Sequence, residues 1–261
     1  MPKIDVKQIT DEWKQDLKKQ VKPCMKLSII QIGDDLASNI YIKGKKKDCE
    51  ELGIQCEHSK YAETVSPNLI YRHIAEITNP VILQLPVPNQ IDLNIINQII
   101  PLNYDVDGFS PFSKFLPCTP GGVVYLLDKI KFEYEYHKAV VIGRSQIVGR
   151  PMANMLLDKN MTVSVCHSKT SFYDMISLCN NADLIISAVG KPKFITDMLI
   201  DRVKNQILID IGINRENGKI CGDADASIYK NPYLKYTPVP NGVGLLTRMQ
   251  LMQNVVDAYK I

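Results

Sequence analysis

A tyrosine and a lysine four residues apart, Tyr41 and Lys45, stand in the stretch "ASNIYIKGKKKDCEELGI". A helix would place both side chains on one side. Lys45 also belongs to a run of four lysines in five positions, and such a run usually forms a solvated helix face. Lys45 can be a reactive amine only if other polar groups of the fold lie next to it. From this stretch alone, a solvated helix face and a reactive amine are both open interpretations.

Two further polar positions stand in apolar or loop surroundings. Gln84 lies inside "VILQLPVP", and a buried amide without partners costs about 1–3 kcal/mol. It therefore either ends a strand at a site or caps a loop. The "DVDG" at Asp105 to Gly108 could be a plain turn, but loops at strand ends are also where ligands bind in open α/β sheets.

The segment "KAVVIGRSQIVGRPMANMLL" reads as a strand, a tight turn and a helix. Dinucleotide folds have G-x-G-x-x-G here, because backbone must approach a pyrophosphate at the helix N-terminus. Gly143 fits this pattern, Ser145 stands at the second glycine position, and Gly149 comes one residue late. An ordinary turn is the alternative, but the flanking strand and helix favour a dinucleotide loop.

The end of the next strand favours NADP over NAD. NAD enzymes usually have an acidic residue there for the ribose 2′-hydroxyl, whereas an NADP site must accept a phosphate. The sequence "VSVCHSKT" has no carboxylate; Ser168, Lys169 and Thr170 offer hydroxyls and a cation. Arg144 in the preceding turn adds a cation suited to phosphate. A merely solvated Lys169 is the alternative.

Composition excludes several classes of function. A net charge of +3 is too small to argue for nucleic acid or an anionic membrane, and no apolar run approaches the ~20 residues of a membrane span. The charged N-terminus lacks an apolar signal segment, which predicts a cytoplasmic protein. Seven scattered cysteines without C-x-x-C, and four isolated histidines, predict reduced thiols and no metal site. A nucleophilic Cys118 or Cys166 is a minor alternative.

Apolar strands alternate with amphipathic helices along the chain, which predicts an α/β fold with parallel sheets. The first helix after strand 26–33 should end at Gly53. A later helix should open with Thr119 as N-cap and Pro120 at its first position. We place a domain boundary near Cys118, so that residues 1–117 form one domain and 118–242 another, with a last helix at 243–261.

Nine ordered segments resemble the bifunctional methylenetetrahydrofolate dehydrogenase/cyclohydrolase family, over nearly the whole chain: "SNIYIKGK", "VILQLPVP", "YDVDGF", "PCTPGG", "VVIGRSQIVGRPMA", "VCHSKT", "ISAVGKP", "DIGIN" and "TPVPNGVG". The resemblance implies an N-terminal α/β domain completed by the C-terminal helix, plus a Rossmann-type NADP-binding domain. It also implies tetrahydrofolate derivatives as substrates, bound between the domains, and a homodimer.

The resemblance implies a role for each candidate residue. Tyr41 would stack on the folate, Lys45 would be the catalytic lysine, Gln84 would position that lysine, and the carboxylate of Asp107 would bind the pterin. Further matches to the family's binding residues fall in two sets: cofactor contacts at Gly143, Arg144, Ser145, Ser168 and Ile213, and substrate contacts at Pro240 and Gly242.

The implied reaction is oxidation of 5,10-methylenetetrahydrofolate to the methenyl form with NADP, followed by hydrolysis to 10-formyltetrahydrofolate. Desolvation would help Lys45 to take a proton from water. The neighbouring Lys43, Lys46 and Lys47 keep the interpretation of solvated charges that could attract a polyglutamate tail.

The family typically reads P-G-G-V-G-P-M-T near its C-terminus, and this chain reads "PNGVGLLT". Asn241 replaces a glycine, and Leu245 and Leu246 replace Pro-Met. Asn tolerates positive φ better than most residues, so the turn can survive. Short-chain dehydrogenases share Y-x-x-x-K but have their glycine loop first, which argues against them. A monofunctional methylenetetrahydrofolate dehydrogenase and a non-catalytic NADP-binding sensor stay as alternatives.

Overall fold

The computed structural model describes residues 3–216 and 218–260, and its chain divides into two compact units. The first unit comprises Glu12–Cys118 and Arg248–Ile261. The second comprises Met1–Asp11 and Thr119–Thr247. The chain passes from one unit to the other between Cys118 and Thr119, where the sequence places the change between two βα series.

The first unit is built on a three-stranded parallel sheet with strand order β2-β1-β3. Its elements, in chain order, are α1 Val6–Lys18 (which begins in the second unit's segment), β1 Lys26–Ile32, α2 Leu36–Leu52, β2 Gln55–Tyr61, α3 Pro67–Glu76, β3 Val81–Gln84 and α4 Leu93–Ile99. Apolar side chains of β1, β3, α3 and α4 form its core, among them Ile30, Ile70, Leu83 and Ile96.

Local sequence explains why α2 begins and ends where it does. The Asp35 carboxylate accepts from the Ser38 amide at 2.7 Å and caps the N-terminus. Gly53 follows the helix at φ +82°, which is the left-handed cap that glycine favours, so the predicted end is confirmed. Lys45 lies on the buried face of this helix, together with Ile42 and Cys49.

The sequence analysis missed β2, "QCEHSKY", because it has no clear apolar pattern. It lies at the edge of its sheet, next to β1. Polar side chains suit an edge, where one side of the strand remains open to water. His58 of β2 contacts the buried Gln31 of β1 at 2.9 Å, so the polar side chains also satisfy each other across the pair.

The second unit is built on a five-stranded parallel sheet with strand order β10-β7-β6-β4-β5. Its elements, in chain order, are α5 Cys118–Lys129, β4 Lys138–Ile142, α6 Gly149–Asp158, β5 Thr162–Cys166, α7 Phe172–Asn181, β6 Leu184–Ser187, β7 Gln206–Asp210, β8 Asn214–Glu216, β9 Lys219–Cys221 and β10 Leu234–Tyr236. The last helix, α8 Val243–Ala258, begins in the second unit's segment and continues in the first unit from Arg248. The strands β8 and β9 form a separate antiparallel hairpin. In local order the sheet reads 2-1-3-4-5, a doubly wound arrangement with its switch point between β4 and β6.

The predicted start of α5, with Thr119 as N-cap, is wrong by two residues. The helix begins at Cys118, so Thr119 lies inside the first turn. Its hydroxyl forms a hydrogen bond with the Thr247 hydroxyl, at 3.0 Å between the two oxygens. The chain enters the helix earlier because the preceding loop holds Cys118: its amide donates to the Asp107 carbonyl at 3.3 Å. In the described part of the chain, no helix combines the length and apolar character needed to cross a membrane.

Candidate active site

Lys45 is set apart from the neighbouring lysines by its environment. Its side chain is only 7% exposed, and its Nζ donates to Gln84 Oε1 at 3.0 Å. Lys43, Lys46 and Lys47 are exposed. A buried amine costs free energy unless it is paired, so this position is not a solvated face.

Gln84 ends β3 with both polar atoms of its amide engaged. Its Oε1 faces Lys45, and its Nε2 donates to the Leu85 carbonyl at 2.8 Å. The same carbonyl accepts from the Ser38 hydroxyl at 3.0 Å. The amide is therefore fixed in one orientation, which directs its oxygen to the lysine. Gln84 therefore ends a strand beside the Lys45 amine.

Tyr41 is half-buried one helical turn before Lys45 on α2. Burial raises the pKa of the Tyr41 phenol, and the positive charge of Arg248 opposes that rise. The ring therefore stays un-ionised at neutral pH. Its neighbour Arg248, on α8, was not singled out by the sequence analysis because nothing in its local sequence distinguishes it.

The two aspartates of "DVDG" have different environments. Asp105 is fully buried and accepts from the Phe109 and Ser110 amides at 3.1 and 2.8 Å, so it closes the loop. Burial is the main cause that raises the pKa of Asp105 to about 6. Asp107 is half-buried, which leaves its carboxylate available to a ligand. Gly108 has φ +65°, and a Cβ there would meet Pro117 backbone at 2.7 Å, so the loop requires glycine.

Cys118 lies near Asp107, at the end of the same loop. Burial raises the pKa of its thiol well above the ordinary value, the carboxylate of Asp107 raises it further, and the charge of Lys45 opposes the rise. The thiol donates to the Val106 carbonyl at 3.4 Å. A protonated thiol is a poor nucleophile, so the geometry argues against the nucleophilic alternative. The electrostatic contacts gather Lys45, Asp107 and Cys118 in one place.

In the second unit, the glycine turn follows β4 at the switch point of the sheet. Gly143 has φ +128°, and a Cβ there would meet the Ala188 carbonyl oxygen at 2.6 Å. A Cβ at Gly149 would overlap the Gly143 carbonyl. Both glycines are thus required for close packing of the turn on its neighbours. Gly149 stands one residue later than the third glycine of the G-x-G-x-x-G pattern. It is the first residue of α6, and its missing side chain lets this turn pack against the Gly143 carbonyl.

The other predicted cofactor residues are exposed at the same edge. Arg144 and Ser145 follow β4, and Ser168 follows β5. The two strands are paired, and their last residues, Ile142 and Cys166, lie opposite each other. Ser145 Oγ accepts from the Val148 and Gly149 amides, both at 3.2 Å, so it starts α6. The carboxyl ends of these adjacent strands therefore bring Arg144 and Ser168 to one edge.

Two domain models of one family match the chain. The catalytic domain of tetrahydrofolate dehydrogenase/cyclohydrolase matches residues 4–107, and its NAD(P)-binding domain matches residues 117–261. The chain belongs to the tetrahydrofolate dehydrogenase/cyclohydrolase family. The predicted family and the predicted α/β fold with a dinucleotide-binding domain are thus confirmed.

Relatives of this family are similar to the chain over almost its full length. The bifunctional protein FolD of Agathobacter rectalis is 39% identical, with 98% of each chain covered. The structure of the bifunctional FolD of Campylobacter jejuni is 36% identical with a TM-score of 0.91, covering 99% of this chain and 98% of that one. The Trypanosoma brucei FolD, solved with NADP and an inhibitor, is 25% identical with a TM-score of 0.90, covering 98% and 96%.

The chain departs from the usual family sequence at Asn241, which has φ +67°. The turn is therefore present with asparagine at the left-handed position, as expected. Gly242 is buried, and a Cβ there would overlap the Pro238 carbonyl. Pro240 is exposed beside it and follows a cis peptide bond.

A pair of buried aspartates near Ile213 was missed by the sequence analysis. Asp223 accepts from the Ser187 hydroxyl, the Val189 and Lys191 amides and the Asn214 side chain, at 2.8–3.0 Å. Asp210 accepts from the Gly212, Asp223 and Ala224 amides at 2.9–3.0 Å. Together they tie the loop after β6 to the segment that carries the half-exposed Ile213. Sequence offers only a weak signal, an aspartate at each of two strand ends.

Within residues 3–216 and 218–260, no group of three or more His, Cys, Asp or Glu side chains is arranged to hold a metal ion. The seven cysteines are free.

Proposed function

We propose that this member of the family oxidises 5,10-methylenetetrahydrofolate to 5,10-methenyltetrahydrofolate with NADP and hydrolyses the product to 10-formyltetrahydrofolate. The observation that carries the proposal is the buried Lys45 amine held at 3.0 Å by Gln84, within a family that performs both steps.

The residues of the glycine turn fit a dinucleotide. A Cβ at Gly143 would meet Ala188 and one at Gly149 would meet the Gly143 carbonyl, so only glycines keep this turn tight enough for its backbone to approach a pyrophosphate at the start of α6. The exposed guanidinium of Arg144 and the hydroxyl of Ser168 would hold a 2′-phosphate, and Ser145 and Ile213 would contact the rest of the molecule. When bound, NADP supplies the acceptor for the hydride.

Residues of the first unit would orient and hydrolyse the folate. Tyr41 would stack on the substrate, and the Asp107 carboxylate would accept hydrogen bonds from the pterin amino and ring N–H groups. Lys45, aligned by Gln84, would take the proton from the attacking water. Pro240 and Gly242, in the loop before α8, stay proposed substrate contacts on the strength of the family resemblance.

These roles assign functions to the two predicted domains. Residues 1–117, with the C-terminal helix 243–261, would form the folate and catalytic domain. Residues 118–242 would form the cofactor domain. The seven free thiols suit a reducing compartment, so we place the protein in the cytoplasm. The small net charge of +3 gives no support for nucleic acid or membrane as partners.

A homodimer is supported by an apolar surface at the edge strand β5. Val165 is 42% exposed on this strand, and Phe172 and Tyr173 are 48% and 84% exposed at the start of α7. Exposed apolar edges are usually covered in solution. A second copy of the chain would cover this one.

One assay tests the proposed function. Purified protein is given methylenetetrahydrofolate with NADP or NAD, while NADPH (or NADH) and methenyltetrahydrofolate absorbance are followed together. Production of NADPH with passage to 10-formyltetrahydrofolate supports both activities. Accumulation of the methenyl form without faster hydrolysis than in buffer would indicate the monofunctional dehydrogenase. Cofactor binding without any folate-dependent change would indicate the sensor.

A further inference from the structure

A guanidinium lies against the helix that carries Lys45. Arg248 of α8 places its Nε 2.8 Å from Oδ2 of Asp48 on α2. Asp48 is buried, and its other oxygen contacts the Lys14 ammonium at 2.8 Å. Asp48 therefore has a second cation besides Arg248, so neutralising Asp48 does not by itself explain why Arg248 is there.

Gly44 makes room for this guanidinium. A Cβ at Gly44 would overlap Nη1 of Arg248 and lie 3.1 Å from its Cζ. On a helix, Tyr41, Gly44 and Asp48 share one side, because they stand three and four residues apart. The guanidinium thus lies against α2 at Gly44, beside the Asp48 carboxylate, and its positive charge opposes the rise in the pKa of Tyr41.

The outer nitrogens of Arg248 are available to a ligand. In the described part of the chain, neither Nη1 nor Nη2 has a protein hydrogen-bond acceptor, and the side chain is 24% exposed. Arg presents five N–H donors in a planar fork that suits carboxylates. The ion pair between Nε and Asp48 keeps the rest of the fork beside α2, where it is partly desolvated, as anion recognition requires.

We propose that Arg248 is a specificity-determining residue that binds a carboxylate of the substrate's glutamyl group. The inference rests on the proposed function. A tetrahydrofolate stacked on Tyr41 carries its negative charges only on its glutamyl end, since the pterin and benzoyl parts are uncharged. A cation fixed beside Tyr41 therefore selects for that end of the substrate.

The test compares Arg248→Met with the wild type on two substrates. One is 5,10-methylenetetrahydrofolate, and the other is the same compound with both glutamyl carboxylates converted to amides. For the natural substrate, Arg248→Met should raise KM by about tenfold to a hundredfold, the range of a charge-assisted hydrogen bond, with kcat within about twofold. For the amide, the wild type and the variant should have the same, high KM.

Gly44→Ala is a second variant that keeps every charge. The new methyl group would displace the flexible end of Arg248, while alanine in a helix interior is more favourable than glycine by about 1 kcal/mol. It should raise KM for the natural substrate, leave KM for the amide unchanged, and not lower the melting temperature. Loss of affinity in such a variant cannot be attributed to unfolding.

Two results would overturn the proposal. An unchanged KM for the natural substrate in Arg248→Met would show that the guanidinium makes no substrate contact. An equal rise in KM for both substrates would show that Arg248 only supports the fold around Tyr41. Wild-type protein that turns over neither substrate would instead contradict the proposed function, so the two failures are distinguishable.

Discussion

At the scale of single residues, burial separates Lys45 from the lysines around it. Replacing Lys45 by Met keeps much of the side-chain length but removes the amine. General bases contribute typically ~10²–10⁴-fold, so we expect conversion of methenyl- to 10-formyltetrahydrofolate to fall by at least about a hundredfold. The measurement is the decay of methenyl absorbance.

Lys43→Met and Lys47→Met are the matched controls, because both side chains are exposed on the same helix. Lys47 makes only an exposed contact with Glu51 at 3.6 Å. Both variants should stay within about twofold of wild type, since surface ion pairs contribute little. Hydrolysis by Lys45→Met at the rate of these controls would remove Lys45 from the mechanism.

Arg144 tests the preference for the phosphorylated cofactor. Arg144→Ala should raise KM for NADP by about tenfold or more and barely change KM for NAD, because only the 2′-phosphate loses a charged partner. Steady-state dehydrogenase kinetics with both cofactors give the comparison. An equal change for NADP and NAD would mean that Arg144 contacts a part that the two share.

Asp105 predicts a pH dependence of stability. Its folded pKa of about 6 lies above the ordinary 3.8, so between these values the folded state keeps a proton that the unfolded state loses. Stability from this group is therefore highest below about pH 4 and falls as pH rises to about 6. Between pH 4.5 and 7 the loss is about 2 kcal/mol. Well above pH 6, Asp105 is ionised in both states, so its contribution to the free energy of unfolding no longer changes with pH.

The measurement is the free energy of unfolding of wild type and Asp105→Asn at pH 4.5 and pH 7. In asparagine one carboxylate oxygen is replaced by an NH2 group, which cannot accept a hydrogen bond. One of the two loop amides therefore loses its acceptor, and the variant should be less stable at low pH. The wild-type advantage should shrink by about 2 kcal/mol on going to pH 7. Other carboxylates are common to both proteins and cancel. A pH-independent difference would show that Asp105 is ionised throughout this range.

At the scale of elements, the turn between β4 and α6 depends on its glycines. Gly149→Ala places a Cβ where the Gly143 carbonyl lies, so the turn must shift. We expect KM for NADP to rise about tenfold or more, while hydrolysis of methenyltetrahydrofolate, which needs no hydride acceptor, stays near wild type. Steady-state assays of the two activities separate these effects.

Gly53→Ala is the control for a general cost of replacing glycine. Gly53 has φ +82° but no atom within 4 Å of an added Cβ, and it only ends α2. This change should cost about 1 kcal/mol of stability and leave cofactor KM unchanged. If Gly149→Ala behaves in the same way, the glycine turn does not shape the cofactor site.

At the scale of the whole molecule, the exposed edge of β5 predicts self-association. Wild-type protein should have a mass near twice its chain mass of 29.5 kDa in light scattering. Val165→Lys should shift it to one chain mass, because a charge would be buried in the contact. Ile220→Lys, on the separate hairpin and 39% exposed, should not. A monomeric wild type would refute the homodimer.

The sequence by itself determined the order of elements and the chemistry available. Strongly patterned segments such as "KLSIIQI" and "KAVVI" form strands because their apolar residues can only be buried, and Gly53 ends a helix for a local reason. The polar edge strand β2 was missed because edges do not require an apolar pattern. The ordered motifs pointed to Tyr41, Lys45, Gln84 and Asp107 through their resemblance to a family.

Only the tertiary structure decided which polar residues are buried against the fold and which stay accessible. Asp105 and Asp107 are alike in sequence, yet one is buried against loop amides and the other is left accessible. Arg248 follows Gly44 by some two hundred residues, so no local pattern could pair them. Burial and charge contacts are set by chain segments distant in sequence, and they appear only when those segments pack.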